Sequence, residues 1–249
     1  MPISPNSLIH FTNTKEALIG ILRDAFKIKY CYECIKSHTK PKTLKYAIPM
    51  VSFCNIPLSQ IKNHLESYGP YGIGLNLKWG QQKGLNPVIY LDVYSNITES
   101  IYELQRSTIN NRKGSTVLTE NQKQILDILC YAKNFEADLE RRGHKKIKNY
   151  RFSDEREWRY IPLHPHKNST YLIGGNTYND DRPLYNSKVS NLILDFTPED
   201  ITYIIIRDES EIKEVIQELR YSKGKKYPLD EVERLITRIV TSEQIKTDF

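Results

Sequence analysis

The sequence contains little that marks a secreted or membrane-bound protein. It has no apolar run long enough to span a bilayer, and its first residues lack the basic-then-apolar pattern of a secretion signal. Its four cysteines are few for 249 residues and fit a reducing compartment. From these absences we expect a soluble, cytoplasmic protein without a membrane partner.

Residues with the spacing of metal ligands are equally scarce. Cys31 and Cys34 have the spacing of half a zinc site, but Cys54 and Cys130 are isolated and no second pair follows. Nothing in the positions of the histidines requires them to complete the set. We therefore expect no bound metal.

The chain does contain enough apolar sequence to build a core. Hydrophobic residues make up 39% of it and charged residues 27%, as is typical of a globular protein. Much of the net charge of +6 lies in two basic segments, 141–148 and 223–226. Such segments are usually solvated loops, although they can also contact phosphates. Segment 141–148 is therefore a candidate contact for nucleic acid.

The stretch 47–79 predicts a strand, a helix, a tight turn and a second strand. Residues 50–54 are a short apolar run of the kind found in buried strands. Asn55 and Pro57 are typical of a helix start, and the alternation of residues 73–77 indicates a strand packed on one side. We regard this stretch as the centre around which the chain is organised.

Strands and helices alternate irregularly along the rest of the chain. A first strand at 7–12 precedes a helix that we expect Asn13 to cap, and residues 97–135 have a helical texture that the polar segment 107–115 divides in two. Residues 37–46 read as a loop. We predict a single α+β domain over 1–249, built on a mixed β-sheet with a helical insertion at about 97–135. Further strands are predicted at 27–32, 88–93, 156–163, 170–173, 192–196 and 201–207, and further helices from 208 and over 229–236.

The sharpest polar signal is the run of charges from Asp154 to Arg159. On a strand, Glu155, Glu157 and Arg159 would face the same side. Two carboxylates and a guanidinium are poorly suited to a closed core, so this face either is solvated or lines a polar cleft. Periodicity alone favours the solvated face.

Several motifs resemble a known family when they are taken in order. The central stretch V-S-F-C-N-I-P-L, H-L-E-S-Y and Y-G-I-G-L-N, followed much later by E-R-E-W-R, resembles the AbiGi family of bacterial abortive-infection proteins. It is also similar to a broader group related to ADP-ribosyltransferases, which includes the DarT-like DNA-modifying toxins. The resemblance covers most of residues 7–163 and implies a role in antiphage defence.

The similarity to the transferases implies a cleft between the two parts of a split sheet, with NAD as co-substrate. His10 matches the residue of the first strand that helps to hold NAD. The second strand of such transferases contributes a small hydroxyl or aromatic residue, which Ser52 matches, with Tyr68 or Tyr71 as alternative matches. Arg159 joins them as a candidate for NAD binding.

The same similarity implies that Glu157 is catalytic, with Glu155 two residues before it. A carboxylate placed there would stabilise the positive charge that develops on the ribose when the bond to nicotinamide breaks. The chain departs from the transferase pattern at Ser52, because a phenylalanine rather than a second hydroxyl residue follows it.

Two other functions stay open. The founding members of the abortive-infection family carry the label of antitoxin, which implies a non-enzymatic antitoxin or sensor that binds a cognate toxin, another protein partner or nucleic acid. A nuclease would need carboxylates clustered around a metal, and the carboxylates here have no recognisable spacing for one.

Overall fold

The computed structural model describes residues 5–40, 42–110, 117–139, 146–167 and 169–248. The strands are β1 Ser7–Thr12, β2 Phe26–Lys27, β3 Lys29–Ile35, β4 Leu44–Cys54, β5 Tyr71–Asn76, β6 Asn86–Pro87, β7 Ile89–Leu91, β8 Ala132–Asn134, β9 Glu136–Leu139, β10 Ile147–Arg151, β11 Glu157–Tyr160, β12 Ile173–Gly174, β13 Ile193–Leu194, β14 Ile201–Ile206 and β15 Ile239–Thr241. The α-helices are α1 Lys15–Asp24, α2 Lys62–Tyr68, α3 Leu77–Gln82, α4 Asn96–Asn110, α5 Glu120–Cys130, α6 Gly175–Asp180, α7 Arg182–Ser187, α8 Ile212–Lys223, α9 Leu229–Ile236 and α10 Ser242–Asp248.

The chain divides into two compact units, neither of which is a continuous segment. The first unit consists of Met1–Lys27, Ser52–Leu85 and Ile193–Phe249, and the second consists of Ile28–Val51 and Asn86–Leu192. Each unit contains both strands and helices. The predicted α+β class is therefore confirmed, whereas the single domain with an insertion stays a prediction.

The first unit is built on a mixed sheet in the order β15–β14–β5–β1. β14 runs parallel to β15 and antiparallel to β5, which in turn is antiparallel to β1. The pairing of Ile9 with Cys54 adds the end of β4 beside β1. Ile73 and Ile204 face each other across β5 and β14, and neither is exposed to solvent. The predicted mixed sheet is thus present, and its apolar strands form a core.

Two helix starts in the first unit differ from the prediction. Thr14, not Asn13, caps α1, because its hydroxyl accepts a hydrogen bond from the Ala17 amide at 3.2 Å. The Asn55 side chain instead donates to backbone carbonyls near β1, so it is not available to cap a helix. A short 3₁₀ turn follows Pro57, and α2 begins only at Lys62.

The second unit contains the first part of β4, which pairs with β3 on one side and β12 on the other. The prediction of a loop over residues 37–46 is wrong at its end, since β4 begins at Leu44 and Tyr46 is buried. β7 and β8 form a parallel pair, and β11 pairs with β6. Helices α4 and α5 contribute to the apolar core of this unit through Tyr102, Leu126 and Leu129.

Helices α4 and α5 occupy most of the region in which two helices were predicted. Thr119 and Gln122 form a capping box at the start of α5. The helical region ends earlier than expected, because β8 begins at Ala132. Of the polar segment 107–115, residues 107–110 belong to α4, and the rest lie outside the described residues. Among the helices that the structure describes, none is long and apolar enough to cross a membrane.

Candidate functional site: a buried ion cluster

The charged run 154–159 lies inside the second unit and not on its surface. A short 3₁₀ helix ends at Glu155, Arg156 adopts a left-handed backbone with φ of 45°, and β11 begins at Glu157. Glu157 and Arg159 are 4% and 0% exposed, respectively, and Glu155 is 2% exposed. The prediction of a solvated face is therefore wrong. The three side chains nevertheless lie together, as the two-residue period of a strand predicted.

Five side chains form the ion cluster around β11: Glu33, Lys133, Glu155, Glu157 and Arg159. One oxygen of Glu157 accepts from Arg159 Nε at 2.7 Å. The other oxygen accepts from Lys133 Nζ at 2.6 Å and from Arg159 Nη2 at 3.3 Å. Lys133 also donates to Glu155 at 2.8 Å, and Arg159 donates to Glu33 at 3.0 Å. Opposite charges therefore alternate through the cluster.

The backbone around the cluster fixes the position of β11. The Glu157 amide donates to the hydroxyl of Tyr90 at 2.7 Å, and its carbonyl accepts from the Val88 amide at 3.0 Å. Lys133 lies opposite Tyr90 in the pairing of β7 with β8. Arg159 Nη1 donates to the carbonyl of Cys130 at the end of α5. These contacts and those of the cluster tie β11 to the strands β3, β7 and β8 and to helix α5 of its unit.

The ionisation of the cluster follows from burial opposed by these charges. Burial by itself would raise the pKa of Glu157, but the charges of Arg159 and Lys133 outweigh it and lower that pKa. Burial likewise acts against the charge of Lys133, and the carboxylates of Glu155 and Glu157 more than compensate, so the pKa of Lys133 is raised. Burial dominates at Glu33 and raises its pKa. At neutral pH, Glu157, Lys133 and Arg159 are all charged.

The chemistry open to this arrangement is limited. A carboxylate with a lowered pKa is a poor general acid near neutral pH. Three hydrogen bonds already use most of the acceptor capacity of Glu157. Among the described residues, no group of three or more potential ligands is arranged to hold a metal ion. The geometry accordingly resembles a structural ion network more closely than a reactive centre.

His10 and Ser52 lie in the first unit, where β1 and β4 meet. His10 Nδ1 is 2.8 Å from the carbonyl oxygen of Ser52, so the contact involves the backbone and not the serine hydroxyl. The His10 ring lies against Phe26 and Phe53, with centroids 5.2 and 5.7 Å away. Burial lowers the pKa of His10, and the hydrogen bond to Ser52 offsets this only in part. His10 is therefore a neutral histidine in aromatic surroundings.

Tyr68 and Tyr71 make different contacts at the turn between α2 and β5. The ring of Tyr68 stacks on His64, with centroids 5.8 Å apart. The Tyr71 hydroxyl donates to Glu211 at 2.8 Å, and the Arg207 guanidinium lies over its ring.

The predicted site residues are divided between the two units. Tyr68 and Tyr71 belong to the first unit, together with His10 and Ser52, whereas Glu155, Glu157 and Arg159 belong to the second. Their assignment to NAD binding and catalysis stays a prediction.

Sequence reasoning missed two members of the ion cluster. Lys133 lies in a three-residue strand inside a region predicted to be helical, and Glu33 follows the strand predicted at 27–32. The local signal for Lys133 was that this single lysine lies between an alanine and an asparagine. Both of these residue types can be buried within a strand. Of the basic segment 141–148, residues 141–145 lie outside the described residues, and Lys146 pairs with Asp138 at 2.8 Å.

The fold and the cluster define an α+β protein in which the charged strand β11 is held in the core of its unit by ion pairs. A family model described as "Putative abortive phage resistance protein AbiGi, antitoxin" matches residues 24–207. The chain therefore belongs to the AbiGi family of abortive phage resistance proteins, and the resemblance seen in the motifs is confirmed. The matched range contains the whole ion cluster and begins after His10.

A curated relative supports the same assignment. The protein named "Abortive phage resistance protein AbiGi" from Lactococcus lactis subsp. cremoris is 28% identical to this chain, and the alignment covers 82% of the chain and 90% of the relative. No solved structure matches the chain. Family membership supports the predicted role in antiphage defence.

Proposed function

We propose that this chain is a non-catalytic, antitoxin-type component of an abortive phage resistance system, and that it acts by binding a cognate toxin protein. The family description, which includes the word antitoxin, supports this proposal. The observation that carries it is the state of Glu157, the residue that the predicted transferase activity would require.

A transferase needs a carboxylate that can accept from a ribose hydroxyl and stabilise a developing positive charge. Glu157 is 4% exposed and already accepts three hydrogen bonds from Arg159 and Lys133. These two cations also neutralise its charge within hydrogen-bond distance. The arrangement therefore favours a structural role for Glu157 over catalysis on NAD.

Growth assays test the proposal directly. The chain is expressed alone, and with the proposed cognate toxin, and colony formation is compared. We expect the chain alone to leave growth unchanged and to restore growth in the presence of the toxin. Glu157→Gln should still neutralise the toxin in proportion to the amount of folded protein. Growth arrest by the chain alone that Glu157→Gln abolishes would overturn the proposal.

Calorimetry with the purified chain tests the competing prediction of NAD as a co-substrate. We expect no release of nicotinamide at millimolar NAD from either the wild type or Glu157→Gln, and this release, not the heat of binding, separates the two functions. Binding by both the wild type and Glu157→Gln, with nicotinamide released only by the wild type, would support the transferase in place of the antitoxin.

A further inference from the structure

A basic cleft lies in the second unit at the start of β4. Its volume is about 580 Å³, and it is bounded by the segment that leads into β4, one face of α4 and the start of α6. Lys40, Lys42, Lys45 and Arg106 line it. We use the name basic cleft for the space between these four cations.

Three of the four cations form no ion pair in the part of the chain that the structure describes. Lys40 is bound to Glu103 at 2.5 Å. Lys42, Lys45 and Arg106 are exposed and form no such ion pair with another described residue. Like charges directed at one concave space repel one another and raise the local concentration of anions. The basic cleft is therefore suited to a negatively charged ligand.

The walls of the basic cleft are set by packing and do not depend on the charged side chains. The hydroxyl of Tyr102 on α4 donates to the Lys42 carbonyl at 2.5 Å. On the other side, β12 pairs with β4 and leads into α6. A Cβ at Gly175 would lie only 2.9 Å from the backbone of Lys45, so glycine allows this close approach. The three cations thus project from a fixed backbone.

The remaining lining includes polar groups that suit more than a single small anion. Gln105 and Arg106 follow Tyr102 by three and four residues and so share its face of α4. Asn176 and Thr177 line the opposite wall and supply an amide and a hydroxyl. The guanidinium of Arg106 can bind two phosphate oxygens at once. The amide and the hydroxyl can bind a sugar or a base edge beside that phosphate.

We propose that the basic cleft binds the phosphate groups of a nucleotide, either free or within a nucleic acid strand. Both sources present the same chemistry, a phosphate next to a sugar and a base. The inference does not depend on the proposed function, because recognition of a toxin and binding of a nucleotide are measured in separate assays.

Fluorescence anisotropy of a labelled oligouridylate, titrated with the purified full chain, tests the inference. The cleft variant combines Lys42→Gln, Lys45→Gln and Arg106→Gln. The matched control combines Lys29→Gln, Lys36→Gln and Lys188→Gln, which remove the same charge from exposed positions of the same unit. Thermal unfolding establishes that both variants are folded, and the single variant Lys45→Gln serves if the triple variant is not.

We expect the cleft variant to bind about tenfold more weakly or worse, and the control to bind like the wild type. The slope of log affinity against log salt should become shallower by about 2, since each phosphate contact on a single strand contributes about 0.7. Displacement of the probe by ATP would identify a free nucleotide as the ligand, and displacement by unlabelled strand alone would identify nucleic acid.

Three results would overturn the inference. The first is no binding of either ATP or the oligonucleotide by the wild type at physiological salt. The second is an equal loss of affinity in the cleft variant and the control, which would indicate diffuse charge. The third is displacement of the probe by polyglutamate as effectively as by ATP or unlabelled strand, which would indicate an acidic peptide site.

Discussion

Arg159 is the residue on which the candidate site depends most. Its side chain is not exposed to solvent, and its guanidinium donates to Glu157, Glu33 and the Cys130 carbonyl. A buried charge is tolerated only when such partners replace water, and the ion pairs themselves add little net stability. The cluster therefore contributes mainly to the specificity of the fold. Removal of one member should lower the free energy of unfolding by more than its ion pair contributes, because the partner stays buried without a counter-charge.

We expect Arg159→Met to lower the free energy of unfolding by about 3–5 kcal/mol, because it leaves Glu157 and Glu33 buried with one cation fewer. Urea denaturation at neutral pH measures the loss. Adding Glu157→Gln to Arg159→Met should recover part of it, so that the double variant loses less than the sum of the single variants.

The matched control for this prediction is Arg23→Met. Arg23 pairs with Glu218 at 2.7 Å, but its side chain is 49% exposed, so the loss should stay below about 1 kcal/mol. Equal losses for Arg159→Met and Arg23→Met would contradict the structural role of the cluster. So would strictly additive effects of Arg159→Met and Glu157→Gln.

The sequence allowed the common side of these charged residues to be predicted, but not their burial. The common side of Glu155, Glu157 and Arg159 follows from the local period of a strand. Their burial depends on Lys133, which is more than twenty residues away in the chain. A pairing between distant segments leaves no local pattern, so the local pattern favoured a solvated face.

At the scale of elements, strong apolar patterns were predictable and short polar elements were not. The bounds of β1 and α9 agree with the prediction, because both have clear patterns and clear ends. Helices α6 and α7 were missed, since they are six residues long, mostly polar and lack an apolar period of 3.6 residues. Residues 44–46 were assigned to a loop because the buried Leu44 and Tyr46 alternate with lysines in the sequence.

Two glycines provide a matched test of how the elements of the first unit are joined. Gly69 ends α2 with φ of +110°, and a Cβ there would lie 2.5 Å from Asn13 Cα. Gly69→Ala should therefore lower the free energy of unfolding by more than about 2 kcal/mol. Gly20 lies within α1 with no atom within 4 Å of its added Cβ. Gly20→Ala should raise stability by about 0.5–1 kcal/mol.

Thermal and urea unfolding of the two glycine variants measure these changes against the wild type. Because both substitutions add the same methyl group, the difference between them reports the local backbone and space alone. A Gly69→Ala variant as stable as the wild type would show that the turn after α2 does not require the positive φ.

At the scale of the whole molecule, the chain passes between the two units at 27/28, 51/52, 85/86 and 192/193. The family model, which matches residues 24–207, contains all four of these points. A cut at any one of them would therefore remove strands from a sheet instead of releasing a complete unit. This arrangement could not be predicted from the sequence, because no change of composition marks the four points.

We expect the chain truncated after Leu192 to aggregate when it is expressed. The truncation removes β14 and β15, and β14 pairs with β5 in the first unit. Ile73 and Leu75 of β5, which are not exposed in the full chain, would then lie on an open strand edge without the apolar cover of β14. Size-exclusion chromatography beside the full chain measures the outcome. A monodisperse truncated chain that unfolds cooperatively would show that β5 does not need β14, and that the first unit has a second way to complete its sheet.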